Sequence, residues 1–159
     1  MRVPLSWLRE YVAVELPVEE LARRLTMAGV EVGSIERVGA AWQVVIGRID
    51  DLLPHPRNPA WWLAQVDSGE RRVTVVTAAT NVRPGDHVPV ALAGGALPTG
   101  PVEARAFDGV VSEGMLCSGA ELGLSDDRGG IYILEPTAPV GMALADYLGD
   151  VVLDLDLTP

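Results

Sequence analysis

Lysine is missing from this chain. All 12 basic residues are arginine, they stand against 22 aspartates and glutamates, and the formal net charge is −10. Nucleic-acid affinity rests largely on phosphate neutralisation with counterion release, so a basic footprint is the first feature expected of a strong binder. No such footprint exists in bulk, and residues 40–151 alone hold 14 acidic residues against 7 arginines. That balance argues against tight, autonomous binding to a polyanion; the lysine gap itself reads as a composition habit of the genome. Cysteine is nearly missing too. Cys117 alone excludes an internal disulfide, and with two histidines it leaves too few soft ligands for a structural zinc site. No apolar run approaches the roughly 20 residues of a membrane helix. Met1-Arg2-Val3-Pro4 is not a signal peptide, so cytoplasm is the expected compartment. There is no phosphate-cradling GxxxxGK and no Ser/His/Asp set with supporting context; Gly94-Gly95 and Pro98-Thr99-Gly100-Pro101 read as turns. No catalytic residue and no metal ligand are nominated.

What is present is apolar residue in short, regularly punctuated runs. Hydrophobic residues make up 48% of the 159, enough for one good core. Residues 1–39 read as strand, short helix, helix, strand. Ser6 is expected to cap a turn through Trp7, Leu8 and Tyr11. Pro17 suits the first helical position, where its missing amide costs nothing. Val18, Leu21, Ala22 and Leu25 follow at helical spacing, and Gly29 stops the helix.

From residue 40 onward the period changes to two. Trp42 to Leu53 is an apolar-rich strand in which Gly47 marks a bulge or a close approach. Trp61 to Asp67 and Arg72 to Ala78 form a hairpin through Ser68-Gly69-Glu70. Val88 to Leu92, Val102 to Phe107, Gly114 to Cys117 and Gly130 to Leu134 add strands, and Val140 to Leu148 reads as a closing helix. Many short strands with regular turns indicate a barrel or sandwich, and a five-stranded OB barrel fits the count. The chain ends on VVLDLDLTP, an alternating strand that needs a neighbour and is expected to find it near the amino terminus.

The stretch Val111–Leu124, VSEGMLCSGAELGL, carries the most local information. It opens as a strand broken by Ser112-Glu113-Gly114. It continues as a helix start with Ser118 and Glu121 at capping-box spacing, and leaves through Gly123. Cys117 within it reads as a small buried hydrophobe, since no cation nearby in sequence would lower its pKa. SEGMLCS followed by ELGL resembles the signature of the EMAP-type tRNA-binding domain, an OB-fold module. His55-Pro56, Val66-Asp67, Ala79-Thr80-Asn81 with Gly85, and VPVAL at 88–92 accompany it in order. The flanks, RVPLSWLREYV and VVLDLDLTP, resemble the amino-terminal region of the bacterial phenylalanyl-tRNA synthetase beta subunit.

The resemblance implies a mainly β fold, an OB barrel over 40–151 inserted in a small α/β domain built from 1–39 and 152–159. It implies a non-catalytic module that helps position tRNA, and that Pro159 is an internal cut. The parent enzyme would be phenylalanine–tRNA ligase, which uses ATP and magnesium with its active site on the alpha subunit; neither cofactor is assigned to this fragment. No membrane or DNA partner is expected. The RNA-facing candidates by resemblance are His55, Arg57, Asn81, Ser112, Met115 and Ser118, with Trp62 added from the residues themselves. Strand alternation groups Trp62 with Ala64 and Val66, leaving Trp61 outside, whereas the family pattern reverses the two; Trp62 is taken as the exposed ring. This loop also departs from the family, with Asn58-Pro59-Ala60-Trp61 where Ala-Asp-Lys-Leu is usual, and Thr77-Ala78-Ala79 replaces Cys-Gly-Ala. Arg48, Arg57, Arg83 and Arg105 are the nearby cations, and four contacts to a single strand would give a salt slope of roughly −3. The alternatives are a structural or protein-interaction OB module with little RNA affinity, and a free-standing tRNA-binding dimer.

Overall fold

The alternation of β-branched residues in the middle of the chain produces one long antiparallel sheet that coils on itself. A computed structural model describes residues 1–39 and 42–157. It separates into two compact units, Met1–Ala40 with Leu148–Pro159, and Ala41–Tyr147.

In the first unit, β1 (Arg2–Pro4), α1 (Leu5–Tyr11), α2 (Val18–Met27) and β2 (Glu31–Val38) are joined by the last strand of the chain, Asp150–Asp156. That last strand lies between β1 and β2, antiparallel to both, so its edges are paired on either side. The buried set is small: Val3, Leu5, Ala22 and Leu153. Two expectations are corrected here. Ser6 lies inside α1, with its amide and hydroxyl directed at the Asp150 carboxylate, and Pro4 holds the cap position. Pro17 is likewise the cap of α2, and the first helical residue is Val18. Gly29 ends that helix at φ +99°, a left-handed conformation that suits glycine.

The second unit is built from β3 (Val45–Pro54), β4 (Trp62–Asp67), β5 (Arg72–Thr77), β6 (His87–Leu92), β7 (Ala96–Leu97), β8 (Gly100–Pro101), β9 (Arg105–Phe107), β10 (Val110–Ser112), β11 (Gly114–Leu116) and α3 (Leu144–Leu148), whose last residue leads to the closing strand β12 of the first unit. Five of these form the sheet, in the order β11-β6-β3-β4-β5. β3 reaches both neighbours because it bends: Val45–Arg48 pair with β6, and beyond a bulge at Asp50 the strand continues against β4 alone. Bulges add twist and bend, which a coiled sheet requires. Gly47 is a close approach rather than the bulge. A Cβ there would lie 2.7 Å from methyls of both Val66 and Val90.

The barrel closes through side chains. Across the gap between β5 and the bend joining β10 to β11, the Val76 amide donates to Ser112 Oγ at 3.0 Å and the Thr74 amide donates to Glu113 Oε2 at 2.9 Å. The Glu113 amide donates in return to the Thr74 carbonyl at 2.9 Å. Inside sit Ile49, Ala64, Val66, Val73, Val75, Val82, Val88, Val90 and Leu116, all buried. Each of these valine, leucine and isoleucine side chains contributes about 1.5–3 kcal/mol when withdrawn from water. This is an OB-like fold, mainly β.

Three further strand and helix expectations shrink. Val102 to Phe107 is a strand only over Arg105–Phe107. Residues 130–134 make a single bridge, Leu134 to His87, because Asn81 already occupies the Ile131 backbone. The closing helix is limited to Leu144–Leu148.

Candidate functional site

The Ser112-Glu113-Gly114 bend is the corner from which the site is assembled. Ser112 is buried, and besides accepting from Val76 its hydroxyl donates to the Gly114 carbonyl at 2.8 Å. Gly114 is required because a Cβ would fall 2.5 Å from the Ala91 carbonyl oxygen. The next residue, Met115, is half-buried, with its neighbours Leu116 and Cys117 in the core. Burial, joined by the nearby Glu121 charge and only partly offset by a backbone amide, pushes the Cys117 thiol up to about 12. The helix expected from the Ser118–Glu121 spacing is a single turn. Ser118 Oγ accepts from the Glu121 amide at 3.3 Å, and the Leu122 amide bonds the Ser118 carbonyl, but Gly123 at φ +74° ends it at once.

Asn81 imitates a strand residue. Its Oδ1 accepts from the Ile131 amide at 3.0 Å and its Nδ2 donates to the Ile131 carbonyl at 2.9 Å, pinning the 128–134 loop to the barrel. Gly130 is compressed against the same amide, leaving no room for a Cβ. His55 performs the matching task on the other loop. Its Nδ1 accepts from the Arg57 and Asn58 amides at 3.0 and 3.1 Å, so the proton sits on Nε2, which donates to the Phe107 carbonyl at 2.8 Å. Trp61 completes that corner, edge-on to both the His55 and Phe107 rings with centroids 5.4 Å away.

Thus His55, Asn81, Ser112 and Ser118 direct their polar atoms at backbone. Arg57, Trp62 and Met115 do not. Trp62 begins β4 on the side of the strand that Ala64 and Val66 turn to the core, yet the residue is 38% exposed because the core ends before reaching it. Arg57 is exposed beside the Asp108-Gly109 turn.

Three depressions on the barrel share walls. One of about 280 Å³ is lined by Val76, Phe107, Ser112, Met115, Glu103 and Arg105. Val76 and Met115 also line the next, of about 310 Å³, with Thr77, Ser118, Glu121 and Arg128. Ala79 connects that one to a third, of about 380 Å³, formed by Leu52, Trp62, Thr80, Val82 and Pro84. The row gives a concave face in which Arg105 and Arg128 make no ion pair among the described residues. Arg48, named from the sequence among the nearby cations that could neutralise phosphate, is already paired: Asp50 and Asp67 hold it at 2.8 and 3.1 Å, and those carboxylates raise its pKa further. Arg128 was missed. It is nearly 50 residues from the Ala78-Ala79 wall it faces, and only the Asn81–Ile131 clamp brings it there.

The described residues contain no group of three His, Cys, Asp or Glu able to hold a metal ion.

Comparison with known proteins adds the following. Residues 44–143 match the family described as "Putative tRNA binding domain". The whole chain is 49% identical to the phenylalanine–tRNA ligase beta subunit of Moorella thermoacetica over 169 residues, which is 21% of that relative. It is 43% identical to the corresponding subunit of Dehalococcoides mccartyi over 166 residues, 20% of that protein. The chain therefore spans about a fifth of the length of these relatives. Among solved structures, the crystal structure of a MetRS-related protein from Pyrococcus horikoshii matches at 20% identity and a TM-score of 0.46. That match covers 63% of this chain and 86% of the other.

Proposed function

Because this chain belongs to the tRNA-binding domain family, with full-length kinship to the amino-terminal part of phenylalanine–tRNA ligase beta subunits, we propose that it is the non-catalytic module that helps position tRNA in such a ligase. The observation that carries this reading is the row of depressions along β5 and β11. It combines apolar floor at Val76 and Met115 with two arginines, Arg105 and Arg128, that no carboxylate holds. RNA is held on OB surfaces by base contacts to such floors beside cations that follow the backbone. Arg57, Trp62 and Met115 are the contact residues of this reading; His55, Asn81, Ser112 and Ser118 set the loops that present them.

The remainder of the ligase, with its alpha subunit, ATP and magnesium, supplies the chemistry. The net charge of −10 makes the isolated module a weak binder whose contribution is geometric. Fluorescence anisotropy of labelled tRNA with the isolated chain tests this. Binding is expected at about 20 mM salt, where screening reaches only beyond roughly 20 Å, and should fall steeply by about 150 mM with a slope of roughly −2 to −3. No binding at the lower salt would leave the structural-module reading, which the acidic balance favours.

A further inference from the structure

We propose that the slot formed by Trp62, Leu52, Val82 and Pro84 receives one unstacked base of a single-stranded RNA segment, an inference that rests on the tRNA-module reading above. The slot exists because of a mismatch between strand and core. Trp62 pairs with Pro54 on one side and Thr77 on the other, at the start of β4. Its face of the strand is the one that buries Ala64 and Val66 completely two and four residues later. Beyond Ala64 the barrel has no further layer, so an indole on the core-facing side projects over the open end. Val82, only 7% exposed and part of the main core cluster, and half-buried Leu52, packed against that cluster, form the floor beneath it. The space measures about 380 Å³, within the range of roughly 300–1,000 Å³ of small-molecule sites.

The composition of the walls selects the occupant. No carboxylate lines the slot, and its one polar side chain is Thr80. Arg83 stands in sequence between the wall residues Val82 and Pro84, is exposed, and makes no ion pair among the described residues. Ala79 is shared with the adjoining depression that holds Arg128. A flat apolar site with a cation at its border and another in the next depression fits a base flanked by phosphates. Stacking on one exposed aromatic ring tolerates any base.

The test uses the intact chain and single-stranded ribohexamers, with a blunt duplex of the same sequence for comparison. Trp7 is 49% exposed in the first unit, so emission is followed in a Trp7→Phe chain. There hexamer binding should quench part of the tryptophan emission and shield it from acrylamide, since Trp42 is buried, Trp61 is half-covered by its ring partners and Trp62 is open. Trp62→Leu, which keeps an apolar cover on Leu52 and Val82, should abolish the quench. It should weaken hexamer binding by about tenfold, with an unchanged melting temperature. Should that variant fold poorly, acrylamide shielding in the Trp7→Phe chain with Trp62 intact decides alone. Hexamer binding without shielding, or with Trp62→Leu as tight as wild type while Arg83→Ala and Arg128→Ala weaken it, would overturn the base slot and leave the phosphate contacts standing. Binding of tRNA but not of any hexamer would also overturn the slot. Failure of both tRNA and hexamer to bind at about 20 mM salt would overturn the slot and the tRNA-module reading together.

Discussion

Two sets of side chains lie within the same barrel and differ in what they touch. His55, Asn81, Ser112 and Ser118 each bond the peptide backbone, and three of them are more than nine-tenths buried. Arg57, Trp62, Arg105 and Arg128 make no side-chain hydrogen bond or ion pair among the described residues and border open depressions or an exposed turn. The first set supplies the sequence motifs by which the domain is recognised. The second lies mostly outside them. A motif that holds a seam shut is under a different physical demand from a surface that meets a ligand, and in this chain the two have separated. The signature therefore reports shape, and under the proposed reading affinity resides with residues that can change independently of it.

Substitutions at the corner should break this contrast most visibly, as losses of stability. Gly114→Ala forces a methyl to within 2.5 Å of the Ala91 carbonyl, where the backbone must shift. A cost of about 3 kcal/mol is expected in urea unfolding. Ser112→Ala comes next. It removes the acceptor of the Val76 amide at the barrel seam and should cost about 2 kcal/mol, the penalty for a buried donor left unpaired. Ser118→Ala, which removes one hydrogen bond from a single turn, should cost about 1 kcal/mol. In all three, RNA affinity per folded molecule should stay at the wild-type value. A loss of affinity without a loss of stability at Ser112 would merge the two sets.

The separation also explains which parts of the molecule could be read before folding. The hairpin of β4 and β5 was legible because alternation and the Ser68-Gly69-Glu70 turn agree on one register. At Gly47 the break in an apolar run left a bulge and a close approach open, and the packing of Val66 and Val90 decides for the close approach. Local spacing misled wherever a distant partner decided the outcome. Residues 130–134 have strand composition, but a side chain from residue 81 takes the place of a pairing strand. The candidate site divides in the same way. Trp62 was found by its residue type, whereas Arg128 becomes visible only through a clamp spanning 50 residues.

Charge substitutions sharpen the contrast from the other side, with effects on affinity alone. Arg105→Ala and Arg128→Ala should each flatten the salt dependence of tRNA binding by about 0.7 in slope and weaken it a few-fold, with no change in melting temperature. Arg48→Ala is the matched control. Its guanidinium is engaged by Asp50 and Asp67, so its removal should leave the salt slope where it was and lower thermal stability. Equal slopes for all three variants, measured by anisotropy across a salt series, would mean that ion pairing does not decide which arginine meets phosphate.

Cys117 gives the smallest effect at neutral pH and a chemical readout for the shape-holding set. Its folded thiol is raised from 9.0 to about 12, chiefly by burial and secondarily by the Glu121 charge. A group that titrates higher when folded keeps its full stabilising effect below the unfolded value, and the effect disappears as pH rises toward the folded one. Stability should thus be independent of this thiol up to about pH 9 and then decline toward pH 12. The difference in urea midpoint between wild type and Cys117→Ala, followed across that window, isolates it from arginine and tyrosine titrations common to both. At neutral pH the thiol should resist iodoacetamide until urea unfolds the barrel, since the thiolate is the nucleophile and the folded core disfavours it. Rapid alkylation of the folded chain would mean that the Met115–Ser118 segment opens on its own, and that the corner holding the rows of depressions in place is looser than its hydrogen bonds require.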